Sequence, residues 1–159
     1  MNRIATEADF QFIFDLYMHP NVNPHLLYEQ MNIEAFKPIF DELLSDNVLY
    51  VFEEQGLPIG MFKLVLLKHR CSHIAYLGGL AISPNGTGKG FGLKMMHEII
   101  ELAQQKNVKR LELSAGTQNT KAIALYEKAG FKAEGILRKY TYLKSEGRYL
   151  DELLMSYIF

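Results

Sequence analysis

Four glycines alternate through Gly86-Thr87-Gly88-Lys89-Gly90-Phe91-Gly92, between an apolar strand-like run and a helix-like one. Glycine alone enters left-handed backbone freely, and it costs about 0.5–1 kcal/mol relative to alanine in regular structure. A tight turn ahead of an ordinary helix needs fewer of them. Successive bare N–H groups form a concave nest, and a helix N-terminus adds partial positive charge, so the segment reads as a cradle for a diphosphate with Lys89 at its rim. Two better-known glycine loops fail the count. A P-loop wants glycine five positions before its Gly-Lys pair and Ser or Thr after it, where this chain has Ser83 and Gly90. The dinucleotide fingerprint spaces its glycines by two and then three; here every step is two.

Around this segment the hydrophobic period switches between helix and strand. Asn2 to Ala5 reads as a short strand and Thr6 to Asp9 as an acidic helix start, with Phe10, Ile13, Phe14 and Tyr17 at helical spacing. Pro20 and Pro24 bracket a loop, and a second helix covers Ile33 to Leu44. Strands follow at Val48 to Glu53, Ile59 to Leu67 and Ile74 to Ile82, the first two forming a hairpin around Gln55 to Pro58. A long helix runs from Phe91 to Lys106, then a strand from Val108 to Leu113 and a helix from Thr120 to Ala129. One strand begins at Phe131 and the last spans Tyr149 to Phe159. The sum is an α/β (α+β) fold, a mixed and mostly antiparallel sheet of about six or seven strands with helices on both faces. No repeat or linker interrupts it, so residues 1–159 read as a single domain.

The charge balance excludes several classes. Seventeen basic and 18 acidic side chains give a net charge of −1 without blocks of one sign, which argues against nucleic-acid and membrane-surface partners. No apolar stretch approaches the ~20 residues of a membrane helix. The first residues do not form an apolar export segment, and Cys71 is the only cysteine, so a cytoplasmic protein is expected. His69, Cys71 and His73 would share one strand face, but they lack the fourth ligand of a structural zinc site, and no metal is expected.

Downstream lies Asn119-Thr120-Lys121-Ala122-Ile123-Ala124-Leu125-Tyr126-Glu127-Lys128-Ala129-Gly130-Phe131, with Asn119 at the N-cap position and Gly130 at the C-terminal one. By itself Tyr126 is a packed aromatic. The two segments together resemble the GNAT (Gcn5-related N-acetyltransferase) superfamily. Thr87 to Gly92, preceded by Pro84, is similar to its Gln/Arg-x-x-Gly-x-Gly/Ala coenzyme A loop. Asn119 to Phe131 is similar to its Asn-x-x-Ala-x-x-x-Tyr-x-Lys-x-Gly-Phe run. The resemblance covers roughly Ile59 to the C-terminus. The tail, with Glu134-Gly135, Arg138, Gly147 to Asp151 and Met155, resembles the bacterial ribosomal-protein, spermidine and amino-acid N-acetyltransferases.

The resemblance implies a splayed central strand whose Leu80, Ala81 and Ile82 hold the pantetheine arm of acetyl-coenzyme A; Gly78-Gly79 also suits a bulge on physical grounds. It further implies a diphosphate site over Thr87, Gly88, Lys89, Gly90, Phe91 and Gly92, a pantetheine contact from Asn119, and Tyr126 beside the sulfur as catalytic proton donor. A phenol of pKa ~10 is protonated at neutral pH and can serve a thiolate of pKa ~8.5. The Ile82 N–H would polarise the thioester carbonyl. The acceptor would be a primary amine, on a small molecule such as an amino acid or polyamine or at a protein N-terminus, and His19, His25 and Tyr28 would wall its pocket. A homodimer is also implied. Two departures stand out. Thr87 replaces Gln or Arg, and Ile74 to Ile82 carries no carboxylate to act as base. Glu53, Glu54, His73 and Tyr76 are left as alternatives, and a coenzyme A-binding module without turnover is the competing function.

Overall fold

The computed structural model describes residues 1–159. The chain opens with β1 (Asn2–Ile4), α1 (Phe10–Met18), a short α2 (Asn23–Leu26) and α3 (Ile33–Ser45). Next come β2 (Leu49–Glu54), β3 (Leu57–Leu66) and β4 (Ile74–Ile82), then α4 (Phe91–Gln105), β5 (Arg110–Gly116), α5 (Thr120–Lys128), β6 (Lys132–Leu143) and β7 (Arg148–Ile158). One seven-stranded sheet results, in the order β1-β2-β3-β4-β5-β7-β6. Every neighbouring pair is antiparallel except β4 with β5. The expected mixed sheet with helices on both faces is therefore present. No helix is long and apolar enough to cross a membrane.

Boundaries differ from the sequence reading where local bonds compete with the ladder. β5 starts at Arg110 rather than Val108, because the Val108 N–H donates to Ala103 O and finishes the turn after α4. Thr6 to Asp9 holds a single 3-10 turn, and α1 begins only at Phe10. The Asp9 carboxylate accepts from Thr6 N and both Arg3 guanidinium NH groups at 2.7–2.8 Å, which fixes β1 to α1. Pro24 does not close the expected loop but sits in the first turn of α2, tied down where Asn23 Nδ2 donates to Tyr17 O and Tyr28 O. His69–Cys71 forms a 3-10 turn rather than part of a strand, so His69, Cys71 and His73 do not share a strand face.

Two cores lie on opposite faces. α4 and α5 bury Met96, Ile99 and Tyr126 against Phe62, Leu77, Leu113 and Met155. On the other face α1 and α3 bury Ile13, Tyr17, Phe36 and Phe40 against Val51, Met61 and Ala81. Phe36 and Phe40 are fully buried, each contributing on the order of 2–3 kcal/mol.

The sheet is divided by a weak seam. β5 pairs with β7 along its whole length, from Arg110↔Ile158 to Gly116↔Glu152. β4 pairs with β5 only from Ile74↔Arg110 to Tyr76↔Glu112. Beyond Tyr76 the two parallel strands part. On its other edge β4 stays paired to β3 through a bulge, where the register jumps from Lys63↔Gly78 to Met61↔Ala81. Leu77 and Leu80 both join the core under α4 and α5. Between them Gly78 and Gly79 both turn toward Lys63.

Gly79 is required at the bulge. Its φ is +55°, and an added Cβ would stand 2.9 Å from the Tyr17 hydroxyl. Gly79→Ala should lower unfolding stability by about 1–3 kcal/mol, read from the urea midpoint; an unchanged midpoint would mean that the bulge relaxes without strain.

Candidate active site

The gap between β4 and β5 is the floor of a cleft of about 450 Å³. Its walls come from both faces of the sheet: Ala122, Leu125 and Tyr126 of α5 on one side, and Lys63, Tyr76, Ser114 and Glu152 on the other. Strand alternation accounts for the second group. Leu113, Ala115 and Met155 enter the core beneath α5, so Ser114 and Glu152 point to the opposite face.

Tyr126 is 7% exposed and lines the cleft. Burial, with a smaller contribution from Tyr76, pushes its phenol up to about 12. It is protonated at neutral pH and not a phenolate. Asn119 caps α5 by accepting from Ala122 N at 3.2 Å and also lines the cleft. Leu80, Ala81, Ile82 and Thr87 form the wall along β4 and beyond it. Ser83 N donates to Ile59 O across β3, so alternation turns the Ile82 N–H to the other edge, toward the gap.

Gly88, Lys89, Gly90, Phe91 and Gly92 lie just beyond this cleft, at the start of α4. Gly88 and Gly90 have φ of +79° and +80° with open space where a Cβ would be. The backbone N–H groups of Gly88, Gly90, Phe91, Gly92 and Leu93 donate to no acceptor within the protein. This set of bare donors at a helix N-terminus fits an anionic diphosphate. Gly92 has a packing reason as well, since a Cβ there would come within 3.2 Å of Leu125 on α5. Gly86 is likewise a packing glycine, 2.8 Å from Ile59 on the same test.

On the far face a hydrogen-bonded chain crosses the gap. Tyr76 Oη meets Ser114 Oγ at 2.8 Å, and Ser114 Oγ donates to Glu152 Oε2 at 2.5 Å. Ser114 has one proton, so Tyr76 is the donor to Ser114. Thr141 donates to the other oxygen of Glu152. Burial raises the Tyr76 phenol, and the Ser114 hydrogen bond partly offsets this.

Among the four proposed base residues only Tyr76 lines the cleft. Glu53 pairs with Arg3 and Glu54 with Lys94, while His73 precedes β4 at the closed end of the seam. His25 lines the cleft, whereas His19 accepts from Asn21 N and Tyr28 packs on Tyr17 at 5.0 Å. Tyr149 packs against Tyr142 at a tilt, and Asp151 accepts from Lys139 N across the β6–β7 irregularity, which are roles within the sheet. Sequence reading missed Lys63, Ser114 and Glu152. The available signal was a single charge within an apolar strand at Lys63, in Met61-Phe62-Lys63-Leu64-Val65; Glu152 follows Asp151 and carries no such mark.

The profile of the Acetyltransferase (GNAT) family matches residues 10–131. The chain belongs to the GNAT acetyltransferase family. The match reaches further toward the N-terminus than Ile59, taking in α1 to α3, and stops before Glu152. A spermidine N(1)-acetyltransferase of Vibrio cholerae is 25% identical over 94% of this chain and 87% of its own length. The L-amino acid N-acetyltransferase AaaT of Escherichia coli is 33% identical over 55% of this chain and 52% of its own. A crystal structure of a ribosomal-protein-alanine N-acetyltransferase from Brucella melitensis superposes with a TM-score of 0.80 at 25% identity, covering 100% of this chain and 99% of the other. As a GNAT enzyme, the chain is an acetyl-coenzyme A-dependent N-acetyltransferase.

Because burial favours the neutral phenol, the stability Tyr126 contributes is fully present below pH ~10 and is lost as pH rises from there through about 12. The phenolate absorbance difference between wild type and Tyr126→Phe should stay near zero at pH ~10 and grow only toward the higher value. A full difference by pH ~10 would identify a solvated phenol.

Proposed function

We propose that this enzyme passes the acetyl group directly to a primary amine that enters from the α1–α3 face, while acetyl-coenzyme A lies along the α4–α5 face. The observation carrying this is the open β4–β5 seam, which leaves Tyr126 on one side and the Tyr76–Ser114–Glu152 chain on the other within a single cleft. The named acceptors of the relatives differ, being spermidine, L-amino acids and an alanine of a ribosomal protein. They share only an amine.

In this reading the diphosphate of the cosubstrate rests on the bare N–H groups from Gly88 to Leu93, Asn119 contacts its pantetheine arm, and the Ile82 N–H faces the thioester oxygen. One preorganised donor of that kind is worth about 10²–10³ in rate. Tyr126 holds its proton for the departing thiolate. The attacking amine gives its proton to Tyr76 Oη as the Tyr76 proton moves to Ser114 and the Ser114 proton to Glu152. The carboxylate is thus the final proton acceptor, reached through two hydroxyls. No acetyl group is attached to the protein at any stage. We also place the enzyme in the cytoplasm and read the exposed Ile136 and Tyr140 of edge strand β6 as the contact of a homodimer.

Tyr126→Phe and Glu152→Gln should each lower kcat by about 10²–10⁴, with the acetyl-coenzyme A dissociation constant changed by no more than about twofold, measured by thiol release and calorimetry. Undiminished kcat in either variant removes that residue from the proton path. A folded protein that binds acetyl-coenzyme A and releases no thiol with any amine would favour the inactive module. Gly90→Leu should weaken coenzyme A binding at least ~10-fold by covering the donors at the α4 N-terminus; an unaltered dissociation constant would put the diphosphate elsewhere.

A further inference from the structure

Lys63 is the only charged residue of β3 and interrupts the apolar run from Ile59 to Leu66. It lines the cleft, and desolvation alone, with no charged neighbour, lowers its pKa. Its side chain crosses the glycine bulge. Lys63 Cε stands 3.1 Å from the point a Gly79 Cβ would occupy and 3.7 Å from the corresponding point at Gly78. The Tyr17 hydroxyl is 2.9 Å from the same Gly79 point, and it is buried without a hydrogen-bond partner. The Tyr76 ring edge is 3.1 Å from the Gly78 point. The two glycines therefore clear a floor that Lys63, Tyr17 and Tyr76 surround, with two donors lacking an acceptor.

The charged residues of the cleft are Lys63, Lys121 and Glu152. Glu152 keeps its charge while accepting two hydroxyl hydrogen bonds, and two lysines against one carboxylate leave the cleft wall positive. A partly dehydrated ammonium with no partner is costly until an anion reaches it. The cosubstrate phosphates do not supply that anion, because the bare N–H groups at the start of α4 belong to the opposite face, where Ile82 and Phe91 join the α4–α5 core.

We infer that Lys63 receives a carboxylate carried by the acceptor, so that the enzyme acetylates a compact amino acid in preference to a polyamine. This rests on the reading in which the amine meets Tyr76, since Tyr76 and Lys63 flank the same glycine. The carboxylate takes a charge-assisted hydrogen bond from the ammonium, and the amine stands beside the phenol. A polyamine would instead bring a second cation toward Lys63 and Lys121.

The test uses the full chain, acetyl-coenzyme A and matched pairs: alanine with ethylamine, leucine with isopentylamine, phenylalanine with phenethylamine, and spermidine besides. At least one amino acid should exceed its decarboxylated partner in kcat/KM by roughly 10- to 100-fold, the range of a hydrogen bond to a charged group. Lys63→Met should erase that preference by lowering the amino-acid value while leaving the amine value within about twofold, and Lys63→Arg should retain most of it. Without ligands, Lys63→Met should melt no lower than wild type, since it removes an unpaired cation, and calorimetry should show that it no longer binds the N-acetyl amino acid product. A wild type that favours the plain amine or spermidine, or a Lys63→Met that lowers both members of a pair equally, overturns the assignment while leaving acetyl transfer intact. Absence of thiol release with every amine would remove the acetyl-transfer reading together with it.

Discussion

The parting of β4 from β5 after Tyr76 is the feature on which the rest depends. Two neighbouring parallel strands normally bond along their length. Here the main chain beyond the third pair is withheld from the ladder, and the sheet becomes two wings hinged at one end. Each wing is held by other bonds. The β3–β4 ladder secures one, and the unbroken β5–β7 pairing secures the other. The opening joins the faces of the sheet without disturbing either core. Backbone groups that would have been consumed in pairing become available to a ligand.

That opening explains why polar residues from distant segments share a small volume. α5 ends the sequence motif and brings Tyr126 to one side of the gap. β5 and β7 bring Ser114 and Glu152 to the other through strand alternation. The bulge at Gly79 changes the phase of β4, so that Gly78 and Gly79 both leave room beneath Lys63. Charge is distributed accordingly. Bare N–H groups collect at the start of α4, where the proposal puts the anionic cosubstrate, a carboxylate lies at the end of a hydroxyl chain, and an unpaired ammonium stands over the glycine floor. Transfer from thioester to amine needs a proton supplied to sulfur and another removed from nitrogen. In the proposed mechanism the two faces of the sheet separate those tasks.

Much of this was legible in local sequence. The alternating glycines mark a main-chain nest, and Asn119 with Gly130 marks the ends of α5 from sequence alone. Gly78-Gly79 announced an irregular strand. Lys63, Ser114 and Glu152 were not found, because their meeting depends on which strands become neighbours. Glu152 reaches the site only because β7 inserts between β5 and β6, with Gly116 opposite Glu152. Nothing in the spacing of 114 and 152 reveals that register. The histidines near Cys71 misled in the opposite way, since alternation along the chain implied a shared face that a 3-10 turn then removed.

The most direct examination is a crystal structure with a bisubstrate analogue, coenzyme A joined through its sulfur and an acetyl bridge to an amine. The account requires the sulfur within hydrogen-bonding reach of Tyr126 Oη, the diphosphate on the amides from Gly88 to Leu93, and the amine nitrogen beside Tyr76 on the α1–α3 face. A linker that runs over one face without entering the β4–β5 gap, or a sulfur remote from Tyr126, would contradict it.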